Sequence, residues 1–304
     1  MAHAHQHDHD GAQHSYDTGR AFAVGIALNL GFVLVEAVYG VLAHSMALLA
    51  DAGHNLGDVL ALTLAWGAST LARRGPSERF TYGLRSTSIL AALLNAALLL
   101  LVTGGIAWEA INRLATPSPV AGGTVIWVAL AGILVNGASA MLFARDRRRD
   151  LNMRGAFLHL AADAAVSFGV VVAGIGILFT GWLWLDPATG LLIAAAIVWS
   201  TWGLLRDSVA LALNAVPEHI DPREVRSYLS RLAGVTEVHD LHIWAMSTTE
   251  TALTVHLVMP GGHPGDTFTA EICRELRERH HVHHATVQIE TGAQPCELAP
   301  DHVV

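Results

Sequence analysis

The sequence predicts a polytopic helical membrane protein, with six transmembrane helices followed by a small α+β domain of α-β-β-α-β order. Three observations predict it. Of 304 residues, 52% are hydrophobic and only 14% are charged, too apolar for an ordinary water-soluble chain and incompatible with disorder over most of its length. Long apolar windows recur up to about residue 205. After residue 214 the composition turns polar, and helical and alternating patterns follow at soluble-domain lengths.

The windows cover residues 21–42, 45–71, 86–108, 124–144, 153–179 and 187–205. Each is long enough to cross a hydrocarbon core of about 30 Å as a helix. A helix is the only open element that can do so, because lipid offers no partner to free backbone groups. The N-terminus lacks the positive stretch of a secretory signal, so the first window is expected to stay in the protein.

Arginine placement predicts the orientation. The link RRGPSERFTYGLR carries Arg73, Arg74, Arg79 and Arg85, and RDRRRDLNMR carries Arg145, Arg147, Arg148, Arg149 and Arg154. The links on the other side carry Arg113 alone. The positive-inside rule then puts both termini in the cytoplasm of a multi-pass protein of the cell membrane. Trp182 and Trp184 suit an outer interfacial belt.

The expected domains are a His-rich cytosolic tail (1–19), a six-helix membrane domain (20–214), a cytosolic α+β domain (215–292) and a C-terminal tail (293–304). In the third of these, Asp221-Pro222-Arg223-Glu224 reads as a helix N-cap, a first-position proline and a capping-box acid. Gly234 is the expected stop. Two β-like runs, TEVHDLHIWAM and TALTVHLVM, precede a helix in TFTAEICRELRERHH and a closing strand in ATVQIE.

The segment ADAGHNLGD places Asp51, His54, Asn55 and Asp58 inside the second window. The fifth window contains HLAAD, with His159 and Asp163 at the same i, i+4 spacing as His54 and Asp58. One helical turn brings such a pair onto one face. Two helices, each with a His nitrogen and an Asp oxygen, supply the four-donor set that zinc accepts. The two windows run antiparallel, so His54 is expected level with Asp163 and Asp58 level with His159. Interhelical hydrogen bonding explains one polar residue in a span. It does not explain a duplicated pattern, because an ionised Asp in mid-bilayer costs about 2.5–3.5 kcal/mol on insertion scales. Asp51 shares the face of His54 and Asp58, either supporting the ligands, relaying protons or serving structure alone. Asn29, Glu36, Asn95 and Asn136 read as packing hydrogen bonds or cavity lining.

These motifs resemble the cation diffusion facilitator family in its zinc-transporting branch. The resemblance rests on SMALLADAGHNLGDV, RFTYGLRS, AFLHLAADAAVSFGV, VPEHID and VHDLHIW, and covers nearly the whole chain beyond the first residues. It implies a homodimer of six-span subunits, each with a ferredoxin- or metallochaperone-like cytosolic domain, that exports divalent metal in exchange for protons. It carries the transport ligands onto His54, Asp58, His159 and Asp163, with Zn2+ as the transported ion. The chemistry of exchange is independent of the resemblance. Neutral His and ionised Asp bind metal, and protonation expels it.

Some family members bind regulatory metal at positions matching His239 and His256, with help from the closing strand, where this chain has Gln288 and Glu290. Strand alternation puts His239 and His242 on opposite faces unless the strand bulges. A regulatory zinc site at His239, His256 and Glu290 and a plain structural reading both stay open. Where other members hold metal in the second-to-third link, this chain has Tyr82, and no site is expected there. The tail residues His3, His5, His7 and His9 have a metal-binding composition, read as a scavenger or as a solvated tail.

Cys273 and Cys296 are the only cysteines, too few for a disulfide framework or a Cys-rich zinc module. A net charge of −8 leaves no footprint for nucleic acid. The expected partners are a divalent metal ion, protons, the lipid bilayer and a second copy of the chain. An enzyme is not expected: no HExxH occurs, and four protein ligands leave no open position for water. The competing reading is a membrane-anchored metal sensor.

Overall fold

The computed structural model describes residues 29–144 and 151–300, together with Ala27. Six helices come first: α1 (Asn29–Leu42), α2 (Met46–Ala72), α3 (Thr87–Ala115), α4 (Gly122–Phe143), α5 (Leu151–Thr180) and α6 (Leu185–Ala212). Among the described residues, α3 to α6 contain spans long and apolar enough to cross a membrane. Helix α2 has the length, at 27 residues, but Asp51, His54, Asn55 and Asp58 lower its hydropathy. The start of the first window, the His-rich tail and the arginines at 145–149 lie outside the described residues.

The helices outrun the apolar windows. Helix α3 continues through Glu109 and Arg113, which pair at 2.9 Å one turn apart. Hydropathy marks the segment that lipid covers, whereas backbone hydrogen bonding sets where a helix ends. Arg113 also donates to the carbonyl of His44 at 2.6 Å, which engages the single arginine of that link.

Two compact units make up the chain. The first comprises the described residues up to Thr63 together with Asn95–Trp202. Its core joins Ala47 and Leu48 of α2 to Val125 and Ala129 of α4, Val170 of α5 and Ile197 of α6. Helices α4 and α5 run antiparallel in a steady register. A Cβ on Gly174 would lie 2.8 Å from Ile126, and one on Gly132 would lie 2.9 Å from the Ser167 hydroxyl. Small residues allow this approach, as is usual where helices meet without a hydrophobic driving force. Many outward-facing side chains are large and apolar; Trp199 is 87% exposed, which suits lipid rather than water. At the start of α2, Ser45 Oγ and the amide of Met46 donate to the buried carboxylate of Asp186.

The second unit comprises Leu64–Leu94 and the described residues from Gly203. It contains α7 (Pro222–Ser230), β1 (Glu237–Ala245), β2 (Thr251–Val258), α8 (Asp266–His280) and β3 (His284–Glu290). Strand β1 pairs antiparallel with β2, and β2 pairs parallel with β3 across the α8 crossover. Val225 and Leu229 of α7, Leu253 and Leu257 of β2, and Ile272 and Leu276 of α8 form one core. Asp221 caps α7 by accepting from the Arg223 amide at 2.8 Å, and Pro222 opens the helix. Within this unit the second-to-third link lies against the β1–β2 turn. Arg85 pairs with Glu250, Ser86 donates to the Met246 carbonyl at 3.1 Å, and Tyr82 meets His284 edge-on at 5.5 Å.

Candidate metal centre

Helical spacing stacks His54 over Asp58 on α2 and His159 over Asp163 on α5, and antiparallel packing interleaves the two pairs. His54 Nε2 lies 3.3 Å from Asp163 Oδ1, and His159 Nε2 lies 3.2 Å from Asp58 Oδ2. His159 also reaches Asp163 Oδ2 at 3.7 Å. His54, Asp58 and Asp163 each present a ligand atom within 4.8 Å of the others. His159 flanks this triplet, its ring centroid 6.2 Å from that of His54. Asp163 is buried, whereas the His159 side chain is 47% exposed. The carboxylate oxygens and imidazole nitrogens converge without a lysine or arginine among them, which is the donor chemistry of a divalent cation.

Behind this group lies a polar layer. Ser167 Oγ donates to Asp51 Oδ2 at 2.9 Å, and Asn55 Nδ2 donates to Glu36 Oε2 at 3.2 Å. Glu36, Asp51 and Asn136 are fully buried. The Glu36 bond to Asn55 is an interhelical hydrogen bond of the kind expected for this residue, and the pairing of α1 with α2 adds that Asp51 lies on the same side.

A second cluster lies against the cytosolic sheet. Its four residues, His239, His256, Glu290 and Cys296, present ligand atoms within 4.8 Å of one another. His239 Nε2 lies 3.3 Å from Glu290 Oε2, His256 Nδ1 lies 3.1 Å from Glu290 Oε1, and Cys296 Sγ lies 3.6 Å from His256 Nδ1. Register brings the residues near one another: His239 pairs across β1–β2 with His256, which pairs across β2–β3 with Gln288, and Glu290 follows two residues on, on the same face of β3. Gln288 donates to Glu290 Oε1 at 2.8 Å and so steadies the acid. Burial pushes the Glu290 carboxyl up, but the Gln288 and Cys296 hydrogen bonds and the nearby His239 and His256 outweigh it and leave it below the usual carboxylate range.

Strand β1 does bulge between His239 and His242, where Asp240 adopts a left-handed φ of 50°. The bulge does not make His242 a member of the cluster. It turns Asp240 inward to bridge His242 Nε2 at 2.8 Å and His256 Nε2 at 3.3 Å. Cys296 escapes sequence reasoning because it lies beyond the last strand, in no periodic element. Tyr82 packs on His284, and no metal-binding group forms around it among the described residues. His3, His5, His7 and His9 lie outside the described residues.

Comparison with known proteins assigns both parts of the chain. Residues 22–211 match the cation efflux transmembrane domain, and residues 217–292 match the cation efflux protein cytoplasmic domain. The chain is 37% identical to the zinc transporter ZitB of Escherichia coli over 301 residues, covering 98% of this chain and 95% of that protein. It is 35% identical over 300 residues to the metal cation efflux system protein CzcD of Cupriavidus metallidurans, covering 98% and 93%. A cadmium, cobalt and zinc/H(+)-K(+) antiporter of Bacillus subtilis is 33% identical over 288 residues, covering 92% of each chain.

Proposed function

The chain belongs to the cation efflux, or cation diffusion facilitator, family, and on that premise we propose that it exports Zn2+ from the cytoplasm in exchange for protons. The observation that carries this reading is the convergence of His54, Asp58 and Asp163, with His159 beside them, on two antiparallel helices. Two neutral imidazoles and two carboxylates bind a divalent cation with little net charge left over. That matters where an uncompensated charge is costly.

The same geometry supports the exchange. The ligand atoms face one another in His–Asp pairs at 3.2 and 3.3 Å. A proton on each imidazole converts these contacts into two ion pairs, so two protons replace the charge of one zinc ion. Metal affinity therefore falls as protons bind. Opening the site to each side in turn then couples a proton gradient to zinc export. The nitrogen-and-oxygen donor set also accepts cadmium and cobalt, the metals named with zinc for the Bacillus relative.

The cytosolic cluster supports a resident regulatory zinc held by His239, His256, Glu290 and Cys296, since one thiolate, two imidazoles and one carboxylate suit a tetrahedral ion. The protein works as a homodimer in the cell membrane with both termini in the cytoplasm. The match to the family's cytoplasmic domain supports the first point, and the arginine distribution supports the second.

The test is zinc uptake into proteoliposomes under an imposed pH gradient, comparing wild type with Asp163→Ala. Gradient-driven flux that vanishes in the variant is expected. Undiminished flux in the variant would place the transport ligands elsewhere. Absence of flux in both, with zinc still bound, would favour the sensor reading instead.

A further inference from the structure

Glu36 and Asp51 come from different helices, α1 and α2, and both side chains are wholly buried. Their carboxyl groups lie within hydrogen-bonding reach of each other. Each spends one oxygen on a neighbouring donor: Glu36 Oε2 accepts from Asn55, and Asp51 Oδ2 accepts from Ser167. The other two oxygens, Glu36 Oε1 and Asp51 Oδ1, are buried and have no donor among the described residues. Two bare carboxylates in contact, shielded from water, repel strongly. A buried acceptor without a donor is itself unfavourable. One proton between them resolves both problems, since the protonated acid donates to the ionised one, as in other buried carboxyl dyads.

We infer that Glu36 and Asp51 form a proton-binding site separate from the metal ligands, holding one shared proton that is released and regained during each transport cycle. This rests on the antiport reading above. The ligand class follows from the donors. Glu36 and Asp51 belong to no group of three or more metal-binding side chains among the described residues, so they fall short of the four-donor set of zinc, whereas two carboxyl groups suffice to share a proton. The neighbouring titratable groups are His54 on α2 and Asp163 on α5, whose charges act on the pair. Helix α4, which packs against Ser167 through Gly132, contributes no titratable residue. The pair is therefore electrostatically tied to the metal centre. A divalent cation held by Asp163 and His54 favours losing the shared proton, and loss of the cation favours regaining it.

The site has two readouts. In infrared spectra of the purified full-length protein at neutral pH, wild type is expected to show the carbonyl band of a protonated carboxylic acid. Glu36→Gln and Asp51→Asn should each abolish it, because the introduced amide donates permanently to the remaining carboxylate. In proteoliposomes, Glu36→Gln should lower the protons moved per zinc by one while calorimetry still detects zinc on the protein. Absence of the band in wild type, or its persistence in both variants, would overturn the shared proton. An unchanged proton-to-zinc ratio in Glu36→Gln would overturn its part in the cycle. If wild type moved zinc with no proton counter-flow, the antiport reading would fail instead, and the infrared band would still decide whether the pair holds a proton.

Discussion

Asp163 faces two histidines at once. Its Oδ1 lies 3.3 Å from Nε2 of His54 on the opposing helix, and its Oδ2 lies 3.7 Å from Nε2 of His159 one turn back on its own. With a side chain only 4% exposed, against 23% for His54, 35% for Asp58 and 47% for His159, this carboxylate is the most buried member of the group. Asp163→Asn keeps the shape and removes the charge. Residues that merely support a metal ligand cost about 10- to 100-fold in affinity when lost, and zinc affinity by calorimetry should fall further than that. A variant with wild-type affinity would remove Asp163 from the ligand set.

His54→Asp exchanges an imidazole for a third carboxylate at the same helical position. Oxygen donors favour harder ions such as manganese. Competition binding should therefore show the preference for Zn2+ over Mn2+ narrowing, with zinc still bound. A variant that retained the full preference would argue that His54 does not touch the ion.

Cys296 contributes the only sulfur in the cytosolic cluster. Soft thiolate selects soft metals, so Cys296→Ser should weaken Cd2+ binding to this cluster more than Zn2+ binding. Titrating both metals into full-length protein carrying Asp163→Ala isolates the cluster. Equal losses for the two metals, or none, would leave Cys296 outside the coordination sphere.

Gly132 lies where a Cβ would meet the Phe32 ring at 2.7 Å and the Ser167 hydroxyl at 2.9 Å. Both neighbours are buried, Phe32 at 5% and Ser167 at 0% exposure, so Gly132→Ala should destabilise the membrane domain by about 1–3 kcal/mol, as other overpacked sites do. A lower unfolding temperature in detergent is the expected result. An unchanged one would mean that α4 and α5 separate more easily than their register implies.

Tyr82 meets His284 edge-on, and Arg85 of the same link pairs with Glu250. They line a cavity of about 420 Å3 together with Arg277 and His283. An aromatic pair of this kind is worth about 0.5–1.5 kcal/mol. Tyr82→Ala should therefore speed tryptic cleavage after Arg79 by roughly 2- to 10-fold, read from fragment formation over time. An unaltered rate would show that the link is held by the Arg85–Glu250 pair and the Ser86 hydrogen bond to Met246 without the aromatic contact.

Much of this protein could be read from its sequence because the information is local. Apolar windows mark helices that lipid covers, and an i, i+4 interval puts His54 with Asp58 and His159 with Asp163 wherever those helices go. The order of helices and strands after residue 214 follows from periodicity and turn residues in the same way. What the windows miss is helix length, since polar residues such as Glu109 remain helical outside lipid.

Only the tertiary structure decided which residues share a neighbourhood without sharing a period. Glu36 gained its significance from the face of α1 that packs on Asp51, and Cys296 from a chain that turns back over β2 after the last strand. The bulge at Asp240 turned that residue, and not His242, toward His256. Each of these depends on packing between segments distant in sequence. No spacing along the chain records such packing, because the free energy that selects it comes from burial and pairing across elements rather than within them.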